Sequence, residues 1–268
     1  MENNSIWSKT AKMPRFPALK GDAKTEVLII GGGIAGLLCA YKLHEAGVDY
    51  MLVEQGRICD GITKDTTAKI TSQHGLIYHK LLRRFGKEKA RAYYDANQAA
   101  IAEYRALAKG IDCDFEETPA YVYVKDNPRL LEKELSALKK LNIPASFVKE
   151  LPLPVATYGA IRFDGQAQFH PLKFLSAISK SLHIFEDTKV KQLAPNTAWT
   201  DKGKITAEKI IVATHFPFLN KHGAYFLKMY QHRTYGLALT GAGRMEGMYV
   251  DEAEKGMSFR SYDKYLYI

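Results

Sequence analysis

The sequence predicts an α/β protein in which a domain wound around a parallel sheet is interleaved with a second, α+β domain built on antiparallel strands. Three observations predict it. Residues 27–54 read as strand, glycine-rich turn, helix, strand. The apolar run 210–213 reads as a buried parallel strand that rejoins the first sheet far along the chain. Between and beyond these lie strands at 121–124 and 158–163, and then several more after Lys221.

The first unit is specified residue by residue. Val27, Leu28, Ile29 and Ile30 are apolar on both alternating faces, as a buried parallel strand requires. Gly31, Gly33 and Gly36 follow at G-x-G-x-x-G spacing, and the apolar period changes to helical through Leu37, Ala40 and Leu43. Gly31 suits the tight turn, Gly33 the close approach of a pyrophosphate, and Gly36 the packing of helix on strand. A helix N-terminus there offers free N–H groups and a partial positive charge to phosphates. The second strand, 49–53, ends in Glu54, placed to accept hydrogen bonds from a ribose diol. Strand, glycines, helix, strand and acid in this order predict a dinucleotide site.

Composition narrows the class. Of 268 residues, 46% are hydrophobic and 25% charged, which suits a soluble chain with a sizeable core. The longest apolar run is too short and too Gly-rich to span a bilayer, and the first twenty residues carry no apolar signal core. No integral membrane segment is expected. Cys39, Cys59 and Cys113 are an odd set without metal spacing, so reduced thiols, no metal site and a cytoplasmic location are expected. The net charge is +9. Lys80, Arg83, Arg84, Lys87, Lys89 and Arg91 cluster, but no nucleic-acid-binding module accompanies them, and a solvated helix face is expected.

Residues 57–74 are dense in hydroxyls, with Thr63, Thr66, Thr67, Thr71 and Ser72 able to cap a helix or donate to a phosphate or flavin oxygen. From Lys87 to Lys109, Ala90, Tyr94, Ile101, Tyr104 and Ala108 keep helical spacing. A helix with Leu131, Leu135 and Leu138 on one face follows, then a Pro-rich loop at 151–154. Pro171 opens a helix with Leu175, Ile178 and Leu182 as its buried stripe. Strands are expected around Val190, Ala198 and Ile205, and at 235–240, 248–250, 258–262 and 265–268.

With these elements in place, the chain resembles the FAD-dependent oxidoreductases of the D-amino-acid oxidase (DAO) superfamily, in the γ-glutamylputrescine oxidase-like and Rieske-associated branch. The resemblance rests on Ser5-Ile-Trp7, residues 17–22, 27–43, 61–68, 167–175 and 209–214, and spans nearly the whole chain. It implies a Rossmann-like FAD-binding domain (24–109 and 170–220), an antiparallel-sheet substrate domain (110–169 and 221–268) lying over the flavin's face, and an N-terminal extension (1–23). It places Gly31, Gly33, Ile34, Ala35 and Gly36 at the pyrophosphate and Glu54 at the adenosine ribose. Gln55, Arg57, Gly61, Ile62, Thr63, Thr66, Thr67 and Ala68 run beside the cofactor, Val190 meets the adenine, and Ala213 and Thr214 end a strand beside FAD. His215 stands where many relatives carry Gly.

The chemistry implied is two-electron oxidation of a C–N bond in a small amine or amino acid, with the electron acceptor unspecified. Such chemistry needs no obligate side-chain base. His74, His170, His215 and His232 are expected to be structural. Arg233 and Arg260 lie on substrate-domain strands and could fork onto a carboxylate. Family members continue past residue 268, some into a Cys/His Rieske module, so a chain truncated at its C-terminus is expected. The alternative is a non-catalytic dinucleotide-binding or interaction remnant of the same fold.

Overall fold

The computed structural model describes residues 5–219, 223–232 and 234–268, and Ser5 opens its first element. Its hydroxyl accepts from the Ser8 N–H and caps a short helix, α1 (Ile6–Thr10). Trp7 on α1 is fully buried, and its indole N–H donates to the Thr66 carbonyl at 2.8 Å. The strand β1 (Ala23–Ile30), helix α2 (Ile34–Glu45) and strand β2 (Tyr50–Val53) then form the βαβ unit that the periodicity predicts.

The chain divides into two compact units, 1–66 with 171–234 and 67–170 with 235–268. The first contains a six-stranded sheet in the order Val190–Ala194, Thr197–Thr200, Lys204–Val212, β1, β2, Ile184–Phe185. From Lys204–Val212 to Ile184–Phe185 the strands are parallel, whereas the two outer ones form an antiparallel meander. Lys204–Val212 is one continuous strand, although the sequence suggested separate strands near Ile205 and at 210–213. Leu28, Ile30, Met51 and Val53 point to one face and pack with Val190, Ala198, Ile205 and Ala207. Strand alternation gives Val27, Ile29 and Leu52 to the other face, which α2 covers beside the helix Pro171–Ser179.

The second unit is built on a seven-stranded sheet in the order Ala238–Thr240, Tyr265–Tyr267, Ser258–Tyr262, Met248–Asp251, Ala120–Val124, Gly159–Phe163, Ser146–Val148. It is antiparallel except at its centre, where Met248–Asp251 runs parallel to Ala120–Val124. The antiparallel expectation is corrected there, because these strands meet through a long connection and not a hairpin. The helices Tyr78–Ala108 and Pro128–Lys140 bury Tyr78, Ala90, Tyr94, Leu131 and Leu138 against Val122, Val124, Ile161 and Phe163 on one face. On the opposite face Tyr121 stacks on Tyr249 with centroids 4.7 Å apart, and Leu151 and Leu153 pack beside them.

That packing moves a boundary. The first domain was expected to include residues 67–109, but the helix Tyr78–Ala108 presents its stripe to the second sheet, so these residues belong to the second unit. The helix also begins earlier than Lys87, with a break at Gly86, where φ is 81° and ψ 175°. A short helix, Tyr225–Lys228, precedes the strands expected beyond Lys221.

Candidate functional site

The glycine loop between β1 and α2 is shaped by contacts that leave no room for side chains. Gly31 has φ +112°, and a Cβ there would meet the Ala213 carbonyl oxygen at 2.6 Å. At Gly36 a Cβ would lie 1.9 Å from the Gly31 oxygen. Gly33 differs: its φ of −80° and ψ of −176° suit any residue, and a Cβ would meet only the Thr63 hydroxyl, at 3.3 Å. The loop therefore needs Gly31 and Gly36 to close, and Gly33 to keep its outer side bare.

Electrostatics at the loop favour an anion. The first-turn N–H groups of Ile34, Ala35 and Gly36 precede the first intrahelical bond, which runs from Leu37 N–H to Gly33 O at 3.0 Å. Ile34 N–H donates to Thr63 Oγ1 at 3.1 Å. Ala35 is exposed. This is the arrangement in which a helix end binds phosphate, through N–H donors and the positive end of the helix dipole.

Glu54, at the end of β2, is half-buried, and its carboxylate is held by backbone. Oε2 accepts from Gly32 N–H at 2.8 Å and Oε1 from Gly56 N–H at 3.0 Å. Each oxygen retains a lone pair, so the group is pre-aimed as an acceptor for a diol. Cys59 lies behind the loop; burial, with the charges of Glu54 and Glu186 adding, pushes its thiol up to about 12, so it stays a protonated thiol.

The remaining expected residues fall as follows. Gln55, Gly61 and Ile62 are exposed. Gly61 precedes a single 3₁₀ turn, Ile62–Asp65, which carries Thr63 inward to cap α2. Arg57 pairs with the fully buried Glu186 and donates to the Pro14 carbonyl at 2.9 Å, which ties down the N-terminal extension. Thr66 accepts from Trp7. Val190 is buried in the sheet core. Ala213 N–H donates to Ile30 O at 2.8 Å, and Thr214 Oγ1 donates to the Phe216 carbonyl at 3.0 Å. His215 has φ +62°, a left-handed conformation that glycine adopts freely.

Thr67 and Ala68 belong to the second unit, and both their carbonyls accept from one Arg260 nitrogen at 2.8 Å. Arg260 is 1% exposed, and burial lowers its pKa to about 10. Its assignment to a substrate carboxylate is corrected on this ground: the guanidinium holds main chain. Arg233 lies outside the described residues. His170 is fully buried against the Tyr262 ring. Among the described residues, no group of three His, Cys, Asp or Glu could hold a metal ion. No helix there is long and apolar enough to cross a membrane.

A family model described as FAD dependent oxidoreductase, DAO, matches residues 26–268. The chain belongs to this DAO family. Its cofactor is FAD, and the phosphate loop and Glu54 fit that cofactor's pyrophosphate and ribose in charge and in donor set. The chain is 35% identical over 270 residues to a Bacillus subtilis (strain 168) protein named "Putative Rieske 2Fe-2S iron-sulfur protein YhfW", covering 96% of this chain and 53% of that protein. It is 25% identical over 225 residues to the gamma-glutamylputrescine oxidoreductase of Escherichia coli (strain K12), covering 75% and 51%. The chain thus spans about half the length of the curated relatives it matches. Among solved structures, L-proline dehydrogenase from P. horikoshii shares the DAO fold at a TM-score of 0.70 and 16% identity, over 93% of this chain and 70% of that one. Glycine oxidase from Geobacillus kaustophilus does so at 0.66 and 16%, over 91% and 70%.

Sequence reasoning missed three polar residues of consequence. Glu186 accepts from Phe16 and Ile58 N–H, Thr188 accepts from Leu19 N–H, and the Gln166 amide oxygen accepts from Ser72 N–H. All three are buried and hold backbone more than 90 residues away, which no local pattern signals.

Proposed function

We propose that this chain forms part of an FAD-dependent oxidoreductase that oxidises a C–N bond of a small amine or amino acid. The observation that carries the reading is the α2 terminus, where Gly33 carries no side chain and the Ala35 and Gly36 N–H groups precede the first intrahelical bond, beside a backbone-aimed Glu54, in a chain of the DAO family. The names of its relatives support the substrate class, since they include a gamma-glutamylputrescine oxidoreductase and a glycine oxidase.

The first-turn N–H groups of α2 would hold the pyrophosphate, Thr63 would position it, and Glu54 would accept from the ribose hydroxyls. FAD, when bound, would supply the capacity for two-electron oxidation of the C–N bond. The chain's contribution is binding, orientation and exclusion of water. The proposed location is cytoplasmic, and the electron acceptor is a separate question.

A visible spectrum tests the reading. The protein should carry flavin bands near ~450 nm that bleach when an amine or amino acid is added without oxygen. A protein that neither takes up FAD nor bleaches with any member of an amine and amino-acid panel refutes it, and leaves the non-catalytic remnant.

A further inference from the structure

The helix Tyr78–Ala108 of the second unit is two arms joined at one residue. Gly86 has φ 81° and ψ 175°, a conformation open to glycine, and a Cβ there would meet nothing within 4 Å. Backbone, and not space, calls for glycine at this point. In a straight helix Tyr78 and Tyr94 would lie about 24 Å apart. Their ring centroids are 6.2 Å apart, and Tyr93 is equally close to Tyr78, so the arms fold back on each other about the break. Glu134 ties the first arm down by accepting from the Tyr78 and His79 N–H groups, each at 2.8 Å.

The apex of this hairpin, residues 83–89, is exposed at every position. Arg83, Arg84, Lys87 and Lys89 stand there against one acid, Glu88. Lower on the arms Lys80 pairs with Glu252 and Arg91 with Asp95, whereas among the described residues the four apex cations have no ion-pair partner. Arg84 lies over the ring of Phe85, 5.3 Å from its centroid, and Phe85 is 49% exposed. A second helix adds to the charge. Arg91 donates to the carbonyls of Leu141 and Asn142 at 3.1 and 2.9 Å, which sets the C-terminal end of Pro128–Lys140 beside the second arm. Lys139 and Lys140 at that end are exposed.

Water alone satisfies the cations, but it does not suit the phenyl ring at their centre. A partner that suits both is anionic at its face and apolar just beneath it. A bilayer is layered in that way, with anionic headgroups outside and hydrocarbon within. A nucleic acid offers phosphates along a groove-bound strand, and a convex apex cannot enclose one.

We propose that the apex at residues 83–89 docks this protein on an anionic membrane surface. Phe85 enters the headgroup layer, and Arg83, Arg84, Lys87 and Lys89 take the lipid phosphates. Lys139 and Lys140 add attraction at longer range. The contact is peripheral and released by salt. It is independent of the oxidoreductase reading, because it uses none of the residues assigned to FAD.

Vesicle binding tests it. The full chain should sediment with vesicles of phosphatidylcholine containing about one-third phosphatidylglycerol at ~0.1 M salt, and stay in solution with phosphatidylcholine alone or at ~0.5 M salt. Each cation near such a surface is worth about fivefold in affinity, so Arg83→Gln combined with Lys87→Gln should weaken binding about 20-fold. Lys191→Gln combined with Lys209→Gln removes the same charge from exposed positions of the first unit and should change binding less than about threefold. Phe85→Ala should cost at least about threefold. Phe85→Trp should add emission that moves to shorter wavelength when anionic vesicles are present, measured against the unaltered protein. Equal losses from the two double variants would reveal attraction to net charge alone and overturn the site. An unshifted Phe85→Trp emission overturns it too, as does a protein that stays in solution with anionic vesicles. Capture by single-stranded DNA or by an acidic protein, without sedimentation on vesicles, overturns the lipid assignment in favour of that partner.

Discussion

Gly33 and Gly36 occupy one loop, three residues apart, yet their substitution should have opposite consequences. A Cβ at Gly36 would sit 1.9 Å from the Gly31 carbonyl oxygen, whereas carbon and oxygen settle at about 3.3 Å, so about 1.4 Å of backbone movement is required. The obstacle is main chain at the point where β1 turns into α2, and it cannot rotate away. Gly36→Ala should cost about 1–3 kcal/mol of stability, which lowers Tm on the order of 5–10 °C even without FAD. Gly33→Ala should leave the fold intact, because its φ of −80° is ordinary and its only near contact is the Thr63 hydroxyl at 3.3 Å. Its methyl group would instead occupy the side of the loop where a pyrophosphate must approach the N–H groups. Loss of those charge-assisted bonds, about 1.5–3 kcal/mol, corresponds to a 10- to 150-fold rise in the Kd for FAD. Thermal unfolding of FAD-free protein and flavin fluorescence titration give the two numbers separately. A Gly33→Ala protein with normal FAD affinity would refute the phosphate-loop assignment. A Gly36→Ala protein as stable as the unaltered one would refute the steric argument.

Glu54→Ala should weaken FAD binding about 10- to 100-fold by flavin titration, and also lower Tm, since the Gly32 and Gly56 N–H groups lose their acceptor. Glu54→Gln keeps one carbonyl oxygen and should do less harm on both counts. Lys69→Met should stabilise the protein, most where the ammonium is charged in both states. The folded-state pKa, about 7, lies below the free value of 10.5, so the unfolded chain holds the extra proton between those two pH values. The cost of burying the charge is therefore fully present below pH ~7 and relieved as pH rises to ~10.5. Part of the side chain is exposed, and water reduces the gain from Lys69→Met to about 1–2 kcal/mol at pH 6, vanishing near pH 11. Urea unfolding at the two pH values measures it, and an equal effect at both would show that Lys69 is not perturbed.

What the sequence made legible is what short-range physics dictates. The change from continuous apolar strand to helical spacing across Gly31–Gly36, the acid at the end of β2, and the stripe of Ala90, Tyr94 and Ile101 each follow from a few neighbouring residues, and all stand in the structure. Illegible were features fixed by contacts distant in sequence. The two-residue strands at Ile184–Phe185, Lys69–Ile70 and Ala167–Gln168 carry too little pattern to announce themselves. The parallel pairing of Met248–Asp251 with Ala120–Val124 joins segments whose order alone suggests hairpins. Arg260 misled for a related reason: an arginine on a strand reads as a surface or ligand group until the carbonyls of residues 67 and 68 come to meet it.

Those carbonyls also explain why such a costly residue is buried. Removing a guanidinium or a carboxylate from water is strongly unfavourable unless its hydrogen-bonding capacity is filled. In this chain two wholly buried charges are filled largely by main chain, and they act on the two ends of one segment. In the first unit Glu186 pairs with Arg57 and accepts from the Ile58 N–H at 2.9 Å. In the second unit Arg260 donates to the carbonyls of Thr67 and Ala68. Between them run Gly61, Ile62 and the Thr63 turn that caps α2, a stretch with almost no regular structure of its own to hold it. A loop gains little position from apolar burial, because its backbone groups must still be satisfied and its length gives it many alternative paths. A buried charge bonded to specific backbone atoms excludes most of those paths, since each one leaves the charge unpaired. On the FAD reading proposed above, a segment set beside a cofactor must hold its hydroxyls and N–H groups to within tenths of an ångström. Glu186 restrains that segment's backbone at Ile58, and Arg260 restrains it at Thr67 and Ala68.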